Sequence, residues 1–372
     1  MNSSISQSTV PDQQLRQLLQ QMDFNWCVRL RDIWDNQPFD IPEAHQELRN
    51  KFAQRLQTFS VEQKHYDQSG MVFVGQGGVG KTHLLTSFRQ QAIATGATFI
   101  LVDMTDVHSF WDTLLQGYMD SLQEPLDDGP PQLQASLRRF IDGIPTTYST
   151  EKTLQYLTEA KPARLKKHIH SILGFLSRKS RLAVQHQDAI RAICCLNSNH
   201  FEVQTIGHTW LQGQPLDDAD KSQLGFSHRQ QSPREIVKSI SWYLSLGSPT
   251  VVAFDQLDPI VAQMKIDQDA QQDFSDQNTT KSIVHQIAIG LSDSCELYRT
   301  LPVMTCLETS WHLLSQNILQ SLMERFYNPE TIGWNPAINF PEQLVQKRTQ
   351  ACLLYTSPSP RDQRGSRMPS SA

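Results

Sequence analysis

Apolar residues along the chain fall into two rhythms. Nearly continuous apolar or β-branched runs occupy 71–74, 98–103, 249–255 and 301–307, with a shorter one near 331–333. Runs of this kind suit strands buried on both faces of a parallel sheet. Between them the apolar positions recur at helical spacing. The pattern predicts helices over 80–94, 132–142, 150–160, 163–178, 186–196, 233–246, 281–291 and 311–323. A further helix carries Val107, Phe110, Trp111, Leu114, Leu115 and Tyr118, with Asp106 as its expected cap. Asp40-Ile41-Pro42-Glu43 reads as a helix start with Pro in the first turn, preceded by an apolar segment at 15–34. The Gln/Asp-rich stretch 267–279 is expected to be a loop.

Strands alternating with helices predict an α/β protein, a three-layer α/β/α arrangement around a central parallel sheet. Residues 132–247 hold no strand pattern and are too long for a connection, which predicts a large all-helical insertion between the second and third strands. The division that follows is a disordered 1–14, an N-terminal helical segment 15–69, a first core part 70–131 and the insertion 132–247. A second core part 248–340, the start of a C-terminal helical lid 341–351 and a tail 352–372 complete it.

Composition narrows the class. The formal net charge is −5 over 372 residues, which disfavours a protein that coats nucleic acid. No run of 18 apolar residues and no leader-like N-terminus is present, so the expectation is a cytoplasmic protein with no membrane contact. Six cysteines without C-x-x-C spacing read as reduced thiols. One stretch, 163–181, is basic, with Arg164, Lys166, Lys167, Arg178, Lys179 and Arg181 beside His168 and His170. A nucleic-acid or acidic-partner contact is one reading. A solvated helix face is the stronger one, because the chain is acidic and aromatics do not interleave with the charges.

The chemistry concentrates where the first apolar run ends. Gly75-Gln76-Gly77-Gly78-Val79-Gly80-Lys81-Thr82 matches the phosphate-loop pattern between a strand and a helix, with His83 following. Glycines let backbone amides approach a phosphate, and the helix start adds its own free amides and positive dipole end. Lys81 is expected on the β- and γ-phosphates, and Thr82 on Mg²⁺. The run 249–255 ends in Asp255, expected to lie on a strand beside the first and to hold Mg²⁺ opposite Thr82. Gln256 stands where a catalytic carboxylate would be, and a glutamine orients water without taking its proton. Asp258 is the next carboxylate, with water positioning and helix capping as its two readings. Glu308, with Thr309 and Ser310, follows the fourth strand, where a polar sensor of the γ-phosphate would sit.

With these pieces in place, the chain resembles the AAA+ and STAND branches of P-loop NTPases. FDQLDPI (254–260) is similar to the Asp-x-x-Asp second motif of STAND and NACHT-like switch ATPases. SLMERFYNPETI (321–332) resembles the segment of origin-recognition-type AAA+ ATPases whose arginine reaches a neighbour's nucleotide, which would make Arg325 that residue. HTWLQGQPLDDADKSQLGF (208–226) resembles a Trp-Leu-x-Gly stretch of large ATP-binding proteins in bacterial phage defence. The resemblance implies ATP and Mg²⁺ as ligands, slow hydrolysis coupled to a conformational switch, and a protein partner or self-association. A non-hydrolysing ATP sensor and a DNA-remodelling ATPase are the alternatives. A Thr-Ser-Arg sensor after the fourth strand is missing. The tail CLLYTSPSPRDQRGSRMPSSA (352–372) resembles translated read-through of a sequencing adapter, which implies a truncated lid.

Overall fold

The structure is a computed structural model. It describes residues 29–35, 40–60, 69–127, 129–145, 148–227, 229–269, 274–317, 324–333, 343 and 347. The tail, nearly all of 341–351 and residues 1–28 lie outside that set, and so do the expectations placed on them. The chain divides into two units. One comprises 1–46 with 334–372, and the other 47–333. In the first, Leu30–Trp34 and Pro42–His45 form short 3-10 turns, and the Lys347 ammonium donates to the Asp40 carbonyl.

The second unit is α/β. Among the described residues it has five strands, β1 (Met71–Val74), β2 (Thr98–Asp103), β3 (Thr250–Asp255), β4 (Thr300–Cys306) and β5 (Glu330–Thr331). All pair in parallel, in the order β2-β3-β4-β1-β5. This corrects one expectation: β3 does not lie beside β1, because β4 is inserted between them. A parallel pair needs a crossover, and the helical connections here are long enough to carry the chain past a neighbouring position, so β1 and β2 are adjacent in sequence and separated in the sheet.

Fourteen α-helices are present among the described residues. Helix α1 (Gln46–Ser60) and α2 (Lys81–Ala94) cover one sheet face, where Phe52 stacks on Phe88 at 4.2 Å and Phe88 meets Phe73 of β1 at 4.9 Å. The alternate strand residues Val72, Val74, Ile100, Val102, Val252, Phe254, Met304 and Cys306 point the other way. They join one apolar cluster with α3 (Phe110–Gln123), where Phe110 stacks on Phe254 at 5.8 Å. That cluster runs on through the helices α4 (Gln132–Asp142), α5 (Thr150–Glu159), α6 (Pro162–Lys179) and α7 (Leu182–Gln185). It continues through α8 (Gln187–Leu196), α9 (Phe201–Leu211), α10 (Asp218–Leu224) and α11 (Pro233–Ser245). The helical stretch therefore shares its core with the sheet. After β3 come α12 (Asp258–Asp269) and α13 (Phe274–Ser294), then α14 (Glu308–Asn317) after β4. No described helix is long and apolar enough to cross a membrane.

Local chemistry sets several boundaries. Ser232 accepts from the Glu235 amide while Glu235 accepts from the Ser232 amide, and Pro233 occupies the first turn, so α11 starts with both reciprocal bonds made. The outer edge of β2 is also closed by side chains. The Phe99 amide donates to Gln132 Oε1 at 3.0 Å, and the Leu101 amide donates to Ser121 Oγ at 2.9 Å. These bonds occupy donors that an edge strand otherwise offers to another chain.

Three local expectations change. Helix α3 begins at Phe110 after Ser109, so Asp106 is exposed and is not its cap. The 267–279 stretch is helical up to Asp269 and again from Phe274. Helices α9 and α10 were not foreseen, since α9 carries Val203, Thr205, Ile206 and Thr209 together with Gly207, residue types of low helix propensity. Gly207 is there for contact: a Cβ would stand 2.7 Å from the Ala192 carbonyl of α8.

His186, between α7 and α8, joins the helical stretch to the approach of β4. Its Nδ1 lies 2.9 Å from Ser239 Oγ and its Nε2 3.4 Å from the Tyr298 hydroxyl, beside the Trp242 ring. Burial, with Lys238 nearby, lowers its pKa from the ordinary 6.5 to about 4. Between those values the unfolded chain binds a proton that the folded chain does not, so stability falls as pH drops through the window. The expected loss is at most about 3 kcal/mol. Urea unfolding measured across that range should show this slope, and His186→Gln should flatten it.

Candidate functional site

The site is assembled at the carboxyl ends of β1, β3 and β4. β1 ends at Val74, the loop turns through Gly75–Gly80, and α2 begins at Lys81. Gly75 and Val79 are buried and anchor the loop, while Gln76, Gly77 and Gly78 form its exposed tip. Gly80 enters the helix with φ +96°, a left-handed conformation that a side chain would strain. The first-turn amides of α2, around Lys81, Thr82 and the half-buried His83, have no acceptor inside the helix and carry its positive end. The Lys81 ammonium folds back over the loop and donates to the carbonyls of Gly75 at 3.3 Å and Gln76 at 3.2 Å. The result is a concentration of donors and positive charge at the mouth of the loop.

Asp255 closes the other side. It ends β3, is 2 % exposed, and accepts from Thr82 Oγ1 at 2.9 Å on Oδ2. Its Oδ1 accepts from the Thr305 hydroxyl. Burial raises the Asp255 pKa. The Thr305 and Thr82 hydroxyls, the Gln256 amide and the Lys81 charge act against that rise. Thr305 is within reach only because β4 lies between β1 and β3. It was missed in the sequence, although a threonine inside an apolar strand run, at Met304-Thr305-Cys306, is a visible polar exception.

The remaining candidates divide. Gln256 sits in the left-handed region at φ 62°, and its Oε1 accepts from Thr105 Oγ1 at 2.6 Å. Thr105 in turn bonds Asp103 at the end of β2, the strand in register with Asp255. Gln256 is thus drawn toward β2. Asp258 is the first residue of α12, and its Oδ1 accepts from the Leu307 amide at 2.7 Å. It ties α12 to the end of β4. Glu308 is exposed at the start of α14, two residues beyond β4 and so between the loop strand and the Asp255 strand. Arg325 is not part of this constellation. Its carbonyl accepts from Gly70 at the far end of β1, and its guanidinium pairs with Glu296 at 2.6 Å.

Thr82 and Asp255 offer the hydroxyl and carboxylate oxygens that Mg²⁺ takes, leaving the rest of its sphere for water and ligand. The loop amides and Lys81 suit a polyphosphate on the same side. The described cysteines, Cys194, Cys195, Cys295 and Cys306, are buried free thiols, with burial pushing Cys306 up to about 12. No protein-family model, curated protein or solved structure matches the chain.

Proposed function

We propose that the chain is a P-loop NTPase of AAA+/STAND type that binds Mg·ATP and uses slow hydrolysis as a conformational switch. One observation carries the reading. Two oxygen ligands 173 residues apart, Thr82 and Asp255, meet at 2.9 Å beside a glycine loop and its lysine. Lys81 and the amides of residues 76–82 would hold the phosphates, and Thr82 with Asp255 would hold the metal. Bound Mg²⁺ neutralises charge on the phosphate oxygens, and the chain's own contribution is to position and to exclude. Glu308 suits a water better than a phosphate, because a carboxylate repels the γ-phosphate it was expected to sense. ATP rather than GTP rests on the family resemblance. The same resemblance supports Arg325 as a residue directed at a second copy, and a protein partner for the switch.

A second reading is an ATP-sensing module without turnover. Gln256 follows Asp255 and is held toward β2, and the Asp258 carboxylate is engaged by the Leu307 amide. Anisotropy of a fluorescent ATP analogue, measured with Mg²⁺ and with EDTA, tests the site itself. Saturable binding that chelation abolishes is expected, and absence of binding in both conditions overturns the proposal. Phosphate release then separates the two readings.

A further inference from the structure

The helical stretch carries a surface that the nucleotide reading does not use. Residues 161–181 hold seven Lys or Arg and no Asp or Glu. On α6, Leu165, Ile169, Ile172, Leu173 and Leu176 are buried, which leaves Arg164, Lys167, Arg178 and Lys179 exposed. The stripe Arg164, His168, Ser171 and Phe175 follows one side of the helix at spacings of three and four. That side borders a groove whose opposite wall comes from Ile144, Tyr148, Thr153 and Tyr156.

The aromatic rings along the groove are arranged face to edge and face to face. Tyr148 and Tyr156 are 47 % and 37 % exposed, too open for core residues of their size. Their centroids are 5.3 Å apart, and Tyr156 stacks on the His168 ring at 5.4 Å with 12° between planes. Cations flank both ends: Lys152 stands 5.0 Å from the Tyr148 ring, and Lys179 stands 4.7 Å from Phe175. Thr153 Oγ1 is buried at the groove without a hydrogen-bond partner.

We propose that the groove between α5 and α6 binds single-stranded nucleic acid, with bases stacking on Tyr148, Tyr156 and Phe175 and phosphates meeting Lys152, Arg164, Lys167, Arg178 and Lys179. Open rings with flanking cations are what an unpaired strand requires, since each base offers a face to stack and each phosphate a charge. A duplex keeps its bases stacked inside and cannot use the tyrosines. An acidic peptide would use the cations and leave the rings idle. Lys166 is excluded from the set because its ammonium donates to the Ser222 carbonyl at 2.6 Å, on the side facing α10. The proposal is independent of the nucleotide site, so either can fail alone.

The test is anisotropy of a labelled oligothymidylate of about 20 nucleotides, long enough to span the groove, with the full chain. Expected are affinity that falls steeply with added salt and a preference for the single strand over a matched duplex of about tenfold or more. Tyr148→Ala with Tyr156→Ala should weaken binding by about 10- to 100-fold, one or two lost stacks. Tyr148→Phe with Tyr156→Phe should retain it, and Lys51→Ala, a cation on α1, should change nothing. Both tyrosines are exposed, so the alanine variant should fold, which circular dichroism checks. Absence of binding, equal affinity for duplex, or unchanged affinity in the alanine variant each overturns the proposal.

Discussion

Lys81→Ala is expected to lower affinity for Mg·ATP by about 100- to 1,000-fold while leaving the fold intact. The estimate follows from removing one preorganised cation from a phosphate site, where charge-assisted bonds are worth roughly 3–4 kcal/mol. The fold should be indifferent because the ammonium bonds only the carbonyls of Gly75 and Gln76, in a partly exposed loop. Isothermal titration with ATP and Mg²⁺, paired with a melting curve, separates the two effects. Equal affinity in parent and variant would show that the loop does not hold phosphate through this residue. A melting temperature lowered by many degrees would instead place Lys81 in the structural frame.

Asp255→Asn is expected to separate stability from ligand response. In the parent, burial raises the carboxyl pKa, so above the ordinary aspartate value the folded state holds its proton longer than the unfolded state does. Stability then falls as pH rises through that window, and the ionised group is a burden at neutral pH. An asparagine removes the charge and keeps an oxygen for one of the two hydroxyls of Thr82 and Thr305, either of which can turn to accept from the amide. Without ligand the variant should unfold at or above the parent's urea midpoint, as buried charges replaced by neutral groups often do. Added Mg·ATP should stabilise the parent by about 3 kcal/mol at a hundredfold excess over its dissociation constant. It should stabilise the variant little. If the variant is destabilised by more than about 2 kcal/mol, the charge itself is needed by the fold.

The parts of the site legible in the sequence were local ones. Gly75 to Thr82 announces itself because a strand, a turn and a helix start must follow one another within a dozen residues for the amides to converge. Asp255 was legible only in company: the 98–103 run ends in a carboxylate too, and it was the phosphate loop upstream that gave the second such run its meaning. Strand order was not legible, since nothing within Leu301–Leu307 says that it enters between β1 and β3. Thr305 went unread for the same reason: its role depends on a neighbour, not on its own run. The groove of Tyr148 and Tyr156 was hidden because the basic stretch was read alone, and both tyrosines come from outside it, Tyr156 on α5 and Tyr148 just before that helix. Gln256 was readable as a departure, but its turn toward Thr105 depends on a left-handed backbone that only the folded chain reveals.

The insertion of β4 also bears on how the protein is made. Among the described residues β1 pairs with β4 and β5 alone, and β2 with β3 alone. Neither of the first two strands has one of these described sheet neighbours until residues from 250 onward have left the ribosome. At about 5–20 residues per second, translation takes roughly 10–35 s to pass from Thr82 to Asp255, 173 residues later. Through most of that interval two apolar strands wait unpaired, the kind of exposed surface and strand edge that is prone to aggregate. The joining of Thr82 to Asp255 therefore comes late in biogenesis and marks a chain whose sheet has closed.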